Sequence, residues 1–136
     1  MYKPYYDAQS CALFFVDGPL EDRNYFGGKI NVFVCGGLQH CAKMASLIGR
    51  NAPFAPAAIR GHLRTWERIN GKDIAFMIPD SNDPYRVLTG VVWLDLSGED
   101  VRKIETFELQ NNLRRRINVN VHVGERIVQA ITYIKR

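Results

Sequence analysis

From Ile117 to Val123 the chain places an apolar residue at every second position, with Asn118, Asn120 and His122 between them. A period of two belongs to a strand with one buried face and one wet face. Gly124-Glu125 follows as a two-residue turn with glycine first, the order a type II′ hairpin prefers. Residues 126–134 return as the partner strand.

Upstream, Ser97-Gly98-Glu99-Asp100 opens a helix. A carboxylate three residues after a capping serine makes a capping box, here with Asp in place of Glu, and acidic residues suit a helix N-terminus. The helix runs to Phe107 or Glu108. Residues 30–35 are apolar and β-prone, which predicts a buried strand ended by Gly36-Gly37. Leu38, Cys41, Ala42, Ala45, Leu47 and Ile48 then follow helical spacing, with Gly49 placed as a stop. Residues 51–56, with two prolines, read as a loop. Residues 57–63, 73–78 and 87–94 are strand candidates, with turn signals at Asn70-Gly71 and residues 81–84. Residues 13–16 read as a short strand after a loosely ordered start, and residues 21–29 as a loop. Residues 13–20 echo 32–38 in pattern: two strand-and-turn units side by side in one sheet, or an added edge strand. The sum is roughly five to seven strands and two helices, mostly hairpin-like, hence α+β.

A chain of 136 residues has room for one domain. Apolar residues at 46% and charged residues at 24% argue against global disorder. No apolar run approaches the roughly 18–20 residues of a membrane span, and Asp17 cuts the 11–16 run too early for a signal peptide. Cys11, Cys35 and Cys41 are odd in number and lack CxxC spacing, so they read neither as a disulfide framework nor as a zinc site. That points to a reducing, cytoplasmic setting. His40, His62 and His122 are scattered without metal-ligand spacing, with His40 near the Gly turn. A net charge of +4 permits nucleic-acid contact without demanding it.

Two features carry chemistry. With Val101 set at zero on the helical wheel, Ile104 falls at about 300° and Glu108 at about 340°. Glu108 thus points into the apolar face, where burial raises a carboxyl pKa and makes it a stronger base, unless the helix has already ended and Glu108 faces water. Glu105 lies on the flank. The second feature is Cys35-Gly36-Gly37-Leu38, a strand that turns through two glycines. It is either an anion site built of free backbone N–H groups or a plain tight turn. It has neither GxGxxG nor a P-loop lysine, so nucleotide phosphates are not indicated.

Five runs in order carry a resemblance: Val34-Cys35-Gly36-Gly37-Leu38, residues 44–50, residues 56–62, Gly90-Val91-Val92-Trp93 followed by residues 100–108, and residues 130–134. Together they resemble the gamma-glutamylcyclotransferase-like, or avirulence-induced-gene-like, family over roughly residues 30–136. The resemblance implies a small, mixed, barrel-like β-sheet with two main helices, preceded by an N-terminal extension over 1–29 with room for an extra strand. That extension covers the pocket, mediates assembly or extends the sheet. The resemblance also implies an enzyme acting on a small gamma-glutamyl compound. The substrate's α-amine attacks its own gamma-carbonyl and yields 5-oxoproline, with no metal or organic cofactor. Glu108 matches the family's general base. Val34, Cys35, Gly36, Gly37 and Leu38 match its substrate-binding run, whose amides would cradle the α-carboxylate.

The chain departs from that pattern at Cys35, where the family has Tyr, and at Gly37, where it has Ser or Thr. Leu109 stands for a Gly and Leu113 for a Tyr. Lost hydroxyls are lost hydrogen-bond donors, so these changes bear on turnover and specificity. The alternative is a non-catalytic binding or assembly subunit that contacts RNA through Arg114-Arg115-Arg116, with Arg60, Arg64, Arg68, Lys135 and Arg136 nearby. On a strand Arg114 and Arg116 share one face and Arg115 takes the other. The same run also reads as a charged edge that resists aggregation. Trp93 and Phe107 read as core and Trp66 as core or rim. Asp83-Pro84-Tyr85 reads as a loop over the pocket.

Overall fold

The period-two run is the inner half of a long hairpin, as its alternation demands. The computed structural model describes residues 29–136 and, before them, only the backbone of residues 4–5 and 14–15. Strands β1 (Pro4–Tyr5) and β2 (Phe14–Phe15) pair antiparallel with each other. The loop expected over 21–29 falls almost wholly outside the described residues. Next come β3 (Ile30–Val34), helix α1 (Cys41–Ile48), β4 (Phe54–Arg60), β5 (His62–Ile69), β6 (Lys72–Pro79) and β7 (Val87–Leu96). Helix α2 (Gly98–Glu108), β8 (Arg114–Val123) and β9 (Arg126–Lys135) complete the chain.

Strands β3, β7, β4, β8 and β9 close into a barrel in that order. All neighbours are antiparallel except β3 and β9, which meet in parallel at Val32 and Ile131. Residues 31–34 of β3 are buried, so β3 reads as a continuous apolar run rather than an alternation. On β8, Val121 and Val123 are buried while Asn118 and Asn120 are exposed. Gly124 has φ +61, as a II′ turn requires of its first residue. The barrel is filled by Phe33, Phe54 and Trp93, with the Phe54 and Trp93 rings 4.7 Å apart.

Three sequence expectations change. Strand β4 starts at Phe54, so Pro56 lies inside a strand rather than a loop. It is tolerated because β4 meets β8 only at Ala58 and His122, leaving its other edge open near Pro56. Strands β5 and β6 form a separate hairpin outside the barrel. Its turn has positive φ at both Asn70 and Gly71, the type I′ geometry. Residues 64–69 gave no strand signal because β5 alternates exposed Arg64, Trp66 and Arg68 with half-buried Thr65, Glu67 and Ile69, so neither face is apolar throughout. The first helix is also shorter than its apolar spacing suggests. A 3-10 turn over Gly37–Gln39 is broken by extended backbone at His40 before α1 begins.

Helix α2 begins as its sequence predicts. Ser97 Oγ accepts from the Asp100 amide at 3.1 Å, and Asp100 Oδ2 accepts from the Ser97 amide at 3.0 Å. Arg50 adds a 2.6 Å ion pair to the same oxygen and ties α1's end to α2's start. Burial pushes the Asp100 carboxyl up, but the Arg50 and Ser97 hydrogen bonds outweigh it and hold the group below its ordinary range. A depressed carboxyl contributes stability above the ordinary aspartate range and loses it as pH falls through the folded value. Asp100→Ala should therefore cost about 1–2 kcal/mol at neutral pH. It should also flatten the acid limb of a urea-denaturation pH series; an unchanged acid limb would assign that limb to other carboxyls.

No helix among the described residues is long and apolar enough to cross a membrane. Cys41 is disulfide-bonded, which corrects the expectation of unpaired thiols. The reducing setting inferred from them loses that support. Cys35 is the buried free thiol among the described residues.

Candidate active site

Strand β3 delivers Val34 and Cys35 to the barrel's end, where Gly36-Gly37 turn the chain aside. Trp93, buried on β7, donates its indole N–H to the Leu38 carbonyl at 3.0 Å and fixes that turn against the core. Beside it lies a cavity of about 700 Å³, the size of a small-molecule site. The barrel end, the end of α2 and the β5–β6 hairpin all line it.

The hairpin is fastened over the cavity by three contacts. Arg64 on β5 donates to the Cys35 carbonyl at 2.6 Å. Arg114 on β8 donates to the Ala75 carbonyl at 2.7 Å, with its guanidinium 4.8 Å from the Phe76 ring centre. Lys135 pairs with Glu67. Trp66, 62% exposed, stands on the cavity rim.

Glu108 is the last residue of α2, and its side chain keeps only 15% of its exposure. Both helical-wheel options are therefore partly met: the helix does end there, yet the carboxylate faces the cavity rather than bulk water. Burial pushes its pKa up, and the positive charges of Arg114 and Lys43 oppose the rise without cancelling it. The Arg114 Nε stands 3.7 Å from Oε2, an ion pair without a close hydrogen bond. Glu105, one turn earlier, accepts from the Tyr133 hydroxyl at 3.0 Å and pairs with Arg116 at 3.1 Å. Burial and the Glu105 carboxylate together push the Tyr133 phenol far up, so it stays a donor. Burial likewise pushes the Cys35 thiol up, chiefly opposed by Arg64, so it is a poor nucleophile.

Val34, Cys35, Gly36, Gly37 and Glu108 all line the cavity. Leu38 does not: it is buried in the core, with its carbonyl held by Trp93. His40 is on the wall. The Asp83-Pro84-Tyr85 loop is elsewhere, against Gly61 at the β4–β5 junction, where the Pro84 carbonyl would lie 3.2 Å from an added Cβ. Among the described residues no cluster of His, Cys, Asp and Glu could hold a metal ion.

Sequence reasoning missed Lys43, Arg64, Arg114 and Tyr133 as cavity residues. Arg114 and Arg116 share a strand face, as alternation requires, but that face meets Glu108 and Glu105 on α2. Pairing of Arg114 with Glu108, six residues earlier across a chain reversal, was the available signal. Arg114→Met removes the larger of the two opposing positive charges, so the Glu108 pKa should move further upward. Carboxyl-carbon NMR titration reads it directly, and a value that stays or falls would mean that Arg114 does not set it.

A barrel closed by five strands, with a buried carboxylate facing a ligand-sized cavity at one end, defines a small α+β barrel protein. The chain belongs to the gamma-glutamyl cyclotransferase, AIG2-like family, whose model matches residues 32–136. Among solved structures it is similar to an Arabidopsis thaliana protein determined in solution, at 23% identity and TM-score 0.64, over 79% of this chain and 62% of that one. It is also similar to a gamma-glutamyl cyclotransferase, at 16% identity and TM-score 0.68, over 79% and 67% of the two chains. A gamma-glutamyl cyclotransferase specific to glutathione from yeast matches at 17% identity and TM-score 0.61, over 80% and 69%. At these identities the likeness is one of fold, and the chain spans less than two thirds of the Arabidopsis protein's length. No curated protein matches the chain.

Proposed function

We propose that this protein is a gamma-glutamylcyclotransferase-type enzyme that cyclises a small gamma-glutamyl compound to 5-oxoproline, with Glu108 as general base. The observation that carries the reading is Glu108 itself: a carboxylate buried at a helix end, raised in pKa and open to the cavity. A raised carboxylate is a stronger base, and proton abstraction from an amine asks for one.

The atoms balance without water. Glu108 takes a proton from the substrate's α-amine as its nitrogen bonds to the gamma-carbonyl carbon. The bond from that carbon to the departing nitrogen breaks, and the Glu108 carboxyl returns the proton to the leaving amine. Both reacting groups belong to one molecule, so holding a folded conformer supplies much of the acceleration. The cavity's fixed lining suits that task.

The test is 5-oxoproline release from a panel of gamma-glutamyl amines, amino acids and peptides, run on the native chain and on Glu108→Gln. Release lost in the variant supports both the reaction and the base. No release from any member by a folded native sample would favour a binding or assembly role.

A further inference from the structure

The Gly36-Gly37 turn leads into three residues of 3-10 helix, too short to lend a helix dipole to a bound anion. The cavity nonetheless contains a cation placed to do so. A Cβ added to Gly37 would lie 2.8 Å from the Lys43 Nζ, so the ammonium stands in the space a side chain at position 37 would take. The same Nζ is 5.3 Å from the centre of the Phe107 ring, immediately before Glu108. Two other cavity cations are committed, Arg64 to the Cys35 carbonyl and Arg114 to Glu108 and the Ala75 carbonyl, and Lys72 is exposed at the start of β6 on the hairpin. Lys43 has no carboxylate partner among the described residues.

We propose that the Lys43 ammonium binds the α-carboxylate of the gamma-glutamyl group and selects substrates that carry it, an inference that rests on the reading of Glu108 as base. The chemistry constrains where such an anchor must be. The α-amine and the α-carboxylate share one carbon, so a cation that holds the carboxylate has to stand near the base that deprotonates the amine. Lys43 is one of the two cations whose charge reaches Glu108. A side chain at 37 would meet the ammonium where it now stands and turn the flexible lysine aside. A flexible lysine on α1 thus replaces a hydroxyl on the turn.

Calorimetry on the Glu108→Gln protein, with and without Lys43→Met or Lys43→Arg, separates binding from turnover. The probes are L-gamma-glutamylmethylamide and its α-carboxamide analogue. Lys43→Met should weaken the carboxylate probe by about tenfold, as loss of a charge-assisted hydrogen bond does, while Lys43→Arg stays within about threefold. The carboxamide should bind weakly and equally with and without Lys43→Met, a discrimination that a merely structural lysine would not produce. Equal affinity for the two probes, or no measurable binding of the carboxylate probe, overturns the assignment. Release of 5-oxoproline by the native chain alongside either result would leave the Glu108 reading standing and remove only the role of Lys43.

Discussion

Glu108→Gln should lower kcat for 5-oxoproline release by about 10²- to 10⁴-fold, the range for removing a positioned general base. KM should change little, because the amide keeps the shape of the side chain and its place on the cavity wall. The loss cannot be restored by raising substrate concentration, which separates it from a binding defect. A second, independent signature is thermodynamic. The Glu108 pKa is raised in the folded state, chiefly by burial. A raised carboxyl contributes stability below the ordinary glutamate range and loses it as pH rises through the folded value. The native protein should therefore lose stability over that window, and Glu108→Gln should not. If activity falls while the stability profile is unchanged, Glu108 is catalytic but not raised in pKa. If neither changes, the base lies elsewhere.

The parts of the fold that declared themselves early were those governed by local rules. The capping box at Ser97 and Asp100 needs four residues, and the β8–β9 hairpin needs only alternation and a glycine-first turn. Glu108 was legible because a charged residue on an apolar helical face violates a local pattern, and such violations gather at functional sites. Barrel closure was not legible: the parallel meeting of β3 and β9 joins residues about a hundred positions apart. For the same reason the sequence did not reveal that Arg64 reaches the Cys35 carbonyl or that the Arg114 guanidinium turns inward. An arginine run looks alike whether it faces phosphate, water or a carboxylate on a neighbouring helix. The run Gly36-Gly37-Leu38 illustrates the boundary. Its glycines reach the cavity as the resemblance implied, but Leu38 is drawn into the core by a hydrogen bond from Trp93, a partner that no local rule supplies.

Gly90→Ala should lower the free energy of unfolding by about 3 kcal/mol, at the upper end for overpacking a well-filled core. Gly90 sits on β7 between β4 and β3, opposite Ala57 on one side and next to the Val34–Val91 pair on the other. An added Cβ would lie 2.3 Å from the Val34 carbonyl oxygen and 2.8 Å from Phe33 Cζ. The first neighbour is backbone of β3, which cannot move without shifting the strand that delivers Cys35 to the cavity. The second is the tip of a fully buried ring. The fall should appear as a Tm lower by roughly 10 °C and a lower urea midpoint. Gly98→Ala is the matched control. Nothing lies within 4 Å of a Cβ added there, and the residue opens α2, where alanine is the better helix former. That variant should be neutral or gain about 0.5 kcal/mol. If both substitutions cost the same, the penalty is general to glycine replacement, and the close approach of β3 to β7 does not hold this end of the barrel in place. If only Gly90→Ala is costly and its 5-oxoproline release falls beyond the fraction unfolded, the same contact that closes the barrel also sets the geometry of the Cys35-Gly36-Gly37 wall.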